Sequence, residues 1–242
     1  MNFCYNKAEK RFGRTLYGIL GVMPSPKEII GVFPELSATI IPHSQEIRFH
    51  RGDSFNIDVQ IQNDEDPPSS IDIARAVLRF SARQGYGNTP SPSTRVRNEG
   101  AIILKYSYDS NEISFVNETN GQARIHIKKA DTIEHPNVPA IWDIELTRPV
   151  EHIEGTTGTV KVQYGDPIVA GLGTNFPESI GLGDILHIQD KHVLILQRID
   201  ERTLKVDFSN WTSEQGLSYN LYTGNSKTIA GGPWNCLGDA VI

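Results

Sequence analysis

From residue 47 onward the spacing of apolar and polar residues has a dominant period of two. Phe55, Ile57, Val59 and Ile61 alternate with Asn56, Asp58, Gln60 and Gln62, so this segment predicts a strand with one buried and one wet face. The same alternation predicts strands at Ala74, Ala76, Leu78 and Phe80, at Ala123, Ile125 and Ile127, and at Trp142, Ile144 and Leu146. Ile71 to Arg83 is read as strand rather than short helix for the same reason. Shorter apolar runs at Ile102 to Leu104 and Ile113 to Phe115 add two more, with turn formers between them at Asp64 to Ser70 and Asn117 to Gly121. Roughly six or seven strands in about 100 residues is the spacing of a sandwich. Gln84 to Asn98, with two prolines and two glycines, reads as a long loop.

A second series follows Glu154 to Gly158. Val160 and Val162, Ile185 to Ile188, Val193 to Leu196, Leu204 to Phe208, and Leu217, Tyr219 and Leu221 predict about five short strands, enough for a small barrel or sandwich. The expected fold class is therefore all-β. Its segments are an N-terminal docking arm at 1–46, a sandwich at 47–153, a small β module at 154–225 and a C-terminal tail at 226–242. Residues 1–46 show no sustained period. The tail carries Trp234, Leu237, Val241 and Ile242, more apolar surface than a solvated tail needs, so both ends are read as docking arms and these four residues as an interface.

The stretch Val169 to Phe176, VAGLGTNF, raises the question of a phosphate loop. Thr174 and Asn175 follow Gly173 where a phosphate loop needs lysine, Pro177 interrupts any helix, and no third glycine completes a dinucleotide fingerprint. Gly171 and Gly173, with Thr174, are instead expected to shape tight turns between strands. Gly165, Gly183 and Asp184 have the same expected role. Arg51-Gly52-Asp53 lies between Phe49 and Phe55, where a turn between two strands explains it.

In their order, Gly158, Val160, Val162, Gly165, Val169, Gly171, Gly173, Thr174, Phe176, Gly183-Asp184, Arg202, Leu204 and Tyr219 resemble a small β module. That module recurs in tail, baseplate and fibre-associated proteins of tailed bacteriophages, and the likeness covers residues 158–223. Upstream, Glu46 to Phe55 followed by an alternating strand is similar to the opening of immunoglobulin-like domains in phage upper-baseplate proteins. The resemblance implies an immunoglobulin-like sandwich before the small module and a structural role in the virion without catalysis. It also implies other virion proteins as partners and threefold or sixfold rings. The protein is then expected in the virion, after synthesis in the host cytoplasm.

Composition narrows the chemistry. A formal charge of −6 and a pI near 5.6 argue against a surface built to neutralise nucleic-acid phosphates. No run approaches the roughly 20 apolar residues of a membrane span, and the basic-then-apolar start is too short and glycine-rich for a signal peptide. Cys4 and Cys236 lack disulfide or zinc spacing and are expected as free thiols. His187 and His192, with Asp184 nearby, are the one set considered for a transition metal, and exposed hairpin positions explain them better. No nucleophile elbow or cysteine signature occurs, so no catalytic, cofactor or metal residue is assigned. The alternative is a carbohydrate- or receptor-binding module, whose candidate aromatics are Tyr86, Tyr106, Tyr108, Trp142 and Trp211.

Overall fold

The structure, a computed structural model, describes residues 27–33, 46–84, 102–107, 112–135, 140–154 and 157–239. Nearly all of the regular structure in the described chain is strand. In order it runs β1 (Lys27–Phe33), β2 (Ile47–Arg51), β3 (Phe55–Asn63), β4 (Val77–Gln84), β5 (Ile102–Ser107), β6 (Ile113–Asn117), β7 (Gln122–Ile127), a five-residue helix α1 (Lys129–Ile133) and β8 (Ala140–His152). The second series is β9 (Thr159–Val162), β10 (Ile168–Leu172), β11 (Ile185–Ile188), β12 (Lys191–Asp200), β13 (Thr203–Val206) and β14 (Glu214–Leu217). The last element, β15, runs from Tyr219 to Asp239.

Period-two patterning explains the first sandwich. Every second residue of β3 from Phe55 to Asn63 is buried, and β7 alternates in the same way. These two strands lie side by side in a four-stranded sheet of order β1-β3-β7-β6. Facing it are β2, β15, β8, β4 and β5 of the larger sheet, with β2 parallel to β15 and β8 antiparallel to both β15 and β4. This is the arrangement of a β-sandwich, in which two largely antiparallel sheets enclose a core from their inner faces. Ile57, Ile61, Ile125, Ile127, Phe80, Ile144, Leu146 and Trp234 fill that core. The strand expected from Ala74 begins at Val77 instead, and Ala74 is exposed in the preceding turn. Clean alternation also fails in β4, because Val77 is buried as well as Leu78 and points away from the sandwich core into a separate cluster.

Two features differ from the expected serial arrangement of arm, sandwich, module and tail. First, β8 and β15 are antiparallel neighbours with Tyr222 opposite His152 and Trp234 opposite Ala140. The small module is therefore inserted into the hairpin between the last two strands of the sandwich, and does not follow a finished domain. Loop tips tolerate such insertions because little backbone hydrogen bonding is lost there. Second, the supposed tail is a core strand. Ile229, Ala230 and Trp234 belong to the first core, and residues after 225 continue the pairing with β8 as far as Trp234.

The small module curls part of the same sheet around a core of its own. The large sheet continues from β15 through β11, β12, β13, β10 and β9 to β14. Register shifts in β12 between Ile195 and Gln197 and between Arg198 and Asp200 bend it, so its first half pairs with β11 and its second with β13. Val160, Val162, Val169, Phe176, Leu186, Ile195, Leu204 and Leu221 fill the curl. Among the described residues the strands form no closed barrel, so the barrel expected as one form of this module is not what is seen.

Candidate functional site

The glycine-rich segment is built from backbone contacts. Val169 to Leu172 is part of β10, so Gly171 lies in a strand and not in a turn as expected from sequence. A Cβ there would stand 2.8 Å from the Thr174 Cβ and 3.3 Å from the Arg202 carbonyl oxygen. Gly171 thus lets the chain fold back closely on itself. Gly173 makes the turn, at φ +67°, and a Cβ on Gly158 would fall 2.6 Å from the Gly173 carbonyl oxygen. Thr174 is fully buried, and its hydroxyl donates to the Thr159 carbonyl at 2.8 Å. The Gly171 amide donates to the Arg202 carbonyl and the Phe176 amide to the Glu201 carbonyl, both at 2.7 Å. A phosphate loop needs such amides aimed at the anion. Here they are satisfied by the protein's own carbonyls, so the segment is occupied in joining β9, β10 and the β12–β13 turn.

Gly183 and Asp184 fasten the module to the sandwich. The Asp184 carboxylate accepts from the Gly181 amide at 2.9 Å and from the Gly224 amide of β15 at 3.1 Å. A Cβ at Gly224 would overlap the Gly183 carbonyl oxygen at 1.9 Å, so only glycine fits. Beside this contact, Val77 of β4 packs with Ile185, Leu194 and the half-buried Tyr222. Asp207, whose carboxylate accepts from the Leu194 amide at 2.9 Å, is held above the usual carboxylate range by burial, with Arg79 and Lys105 of the sandwich opposing that shift. The sandwich and module therefore share an apolar and charged seam as well as a strand.

His187 and His192 stand directly opposite each other on β11 and β12, with rings stacked at 4.2 Å and nearly parallel at 5°. Burial, then the charges of His187 and Arg75, press the His192 imidazole down to about 4, so it is neutral at pH 7. Stacked rings project their nitrogen lone pairs side by side and do not converge on an ion. Among the described residues no group of three or more histidine, cysteine or acidic side chains is placed to hold a metal. A second polar cluster ties α1 to the sandwich: the Tyr106 hydroxyl donates to Asp131 and Lys128 pairs with Glu112. Burial, then the Asp131 hydrogen bond, raises the Tyr106 phenol far above its ordinary range.

The remaining sequence candidates scatter. Gly52 turns at φ +78° between β2 and β3, where the Asp53 carboxylate accepts from the His50 amide at 2.7 Å, carrying the chain from one sheet to the other. Gly165, at φ +77°, makes a separate turn tied to the Ser209 carbonyl. Trp234 is 1% exposed and packs on Phe49 at 4.7 Å and Phe80 at 5.5 Å between centroids, so its reading as a docking residue is corrected to core. Leu237 is exposed, while Val241 and Ile242 lie outside the described residues. Of the aromatics proposed for sugar binding, Tyr106, Trp142 and Trp211 are buried, and Tyr86 and Tyr108 lie outside the described residues. Cys236 is a free, partly buried thiol. Sequence reasoning missed Gly224 and the seam residues Val77, Ile185 and Leu194; the glycine in Tyr222-Thr-Gly-Asn225 was the available signal for the close approach.

No protein-family model matches the chain, and no curated protein matches its sequence.

Proposed function

We propose that the protein is a structural subunit of a tailed-phage particle, in the tail, baseplate or neck, that works as a stiff spacer between neighbouring components. The observation that carries this reading is the way the two cores are joined. The chain passes between them twice, through β8 and β15, and β15 is continuous across the junction with β8 on one side and β11 on the other. A domain linked in tandem has one covalent connection and relative motion as its default. Two connections, a shared sheet and the contact of Gly224 with Gly183 oppose that motion and suit a part that bears load.

The residues that carry the likeness to phage tail modules support the same reading. Gly158, Gly171, Gly173 and Gly183 serve turns or close approaches, and Phe176, Leu204 and Tyr219 fill the module core. They make architecture. Partners in this reading are other virion proteins and further copies of the chain, in threefold or sixfold rings. Mass spectrometry of purified particles from the source provides the test. The protein should be recovered at fixed stoichiometry after high-salt washing. Recovery only from the soluble fraction of infected cells would refute a structural role.

A further inference from the structure

Strand β1 occupies the edge of the four-stranded sheet in an unusual direction. It runs parallel to β3 over seven residue pairs, from Lys27 opposite Ile57 to Phe33 opposite Asn63. Its neighbour β3 is a nine-residue strand with a buried apolar face. Without β1, one edge of β3 would present its unpaired amides and carbonyls, and such an edge is a template for pairing with another chain. The slot therefore has to be filled, and a segment of the same sequence from any copy can fill it equally well.

The number of residues between β1 and β2 is larger than filling the slot within one chain requires. Residues 34–46 separate β1 from β2, and β2 is joined to β3 by the turn at Gly52. The end of β1, beside Asn63, and the start of β2 thus lie toward the same end of the sandwich but on opposite sheets. From sheet spacing and strand rise, that gap is on the order of 10–20 Å. Thirteen residues can span up to about 43–47 Å. β1 is joined to β2 by that one segment, whereas β15 is threaded through both cores.

We infer that β1 is an exchangeable strand: in assemblies of this chain, Lys27–Phe33 of one copy adds to the β3 edge of the next. Each copy then gives one strand and receives one, so the pairing that β3 gives up within its own chain is restored by a neighbour, as in domain swapping. The balance is set by the local concentration of neighbours, which favours exchange once copies are held in a ring. This rests on the assembly reading proposed above.

Disulfide trapping tests it. With Cys4→Ser and Cys236→Ser as background, Glu28→Cys and Asp58→Cys are made singly and together, because these positions are partners in the β1–β3 register. Adjacent strands bring paired Cα atoms within disulfide range. Light scattering first determines whether the protein forms a defined oligomer. Co-expressed single variants, oxidised in the oligomeric fraction, should give at least tenfold more disulfide-linked dimer than either variant alone. Oligomers in which the double variant forms only an internal disulfide, and the mixture no dimer, would overturn exchange while leaving assembly intact. A protein that stays monomeric at every concentration would overturn assembly and exchange together. No disulfide in either format would show that β1 does not pair with β3.

Discussion

Truncating Trp234 to alanine separates a core strand from a docking tail. The indole lies between the two sheets of the sandwich, 4.7 Å from the ring of Phe49, 5.5 Å from Phe80 and 6.1 Å from Phe55 between centroids. Its residue also pairs with Ala140 of β8 and Ile47 of β2, so the surrounding backbone has little freedom to collapse into the space left behind. Removing a fully buried tryptophan costs about 3–5 kcal/mol through lost transfer energy and the residual cavity. Near 4 kcal/mol, the unfolding equilibrium shifts about a thousandfold. Urea unfolding followed by fluorescence measures this, because one tryptophan remains in each core, Trp142 in the sandwich and Trp211 in the module, and variants keeping one or the other report on each. Both probes should move to lower urea, since the cores share β15. Leu237→Ala, at an exposed position of the same strand, should change stability by less than about 0.5 kcal/mol. A loss below about 1 kcal/mol for Trp234→Ala would refute the core placement and restore the docking tail.

Other consequences concern the junction and the histidines. Gly224→Ala should destabilise by about 2–4 kcal/mol, because its Cβ would meet the Gly183 carbonyl at 1.9 Å and two backbones must part. Gly173→Ala, at φ +67° with open space around it, should cost only about 1–2 kcal/mol in thermal or urea unfolding. The His192 imidazole titrates near 4 when folded and near its ordinary value when unfolded, so between those values the unfolded chain binds more protons. Stability should therefore fall as pH drops from about 6.5 to about 4, and His192→Gln should flatten that part of the profile. Limited proteolysis at neutral pH should leave residues 219–239 intact while β15 remains paired, and early cleavage there would contradict the fold.

The strands of the sandwich were legible because one face of each meets the core and the other meets water. β3 and β7 show that pattern without interruption. Val77 was obscured because β4 is covered on both sides near the seam, which replaces alternation with a continuous apolar run. β15 was hidden for a different reason. A register shift between Thr228 and Ala230 reverses the phase of the strand, so neighbouring Ile229 and Ala230 are both buried. Gly231, Gly232 and Pro233 then give the segment the composition of a turn. Proline is accommodated because between Tyr222 and Trp234 the strand has β8 on one side and neither β11 nor β2 on the other. The insertion of the module into the β8–β15 hairpin depends on pairing between residues about 80 positions apart, which local pattern does not encode.

The glycine-rich segment was partly legible. Spacing excluded a phosphate loop, and the amides of Gly171 and Phe176 are directed at protein carbonyls. What spacing did not reveal was that Gly171 and Gly173 act differently, one by allowing Thr174 to pack against a strand and the other by its positive φ.

Amide hydrogen exchange along residues 219–239 tests the shared strand most directly. Amides of Leu221 to Trp234 that bond to neighbouring strands should be protected throughout, and those beyond residue 225 should exchange only when the sandwich itself opens. Protection that ends near residue 225, with the rest exchanging at the rate of an unstructured chain, would contradict it.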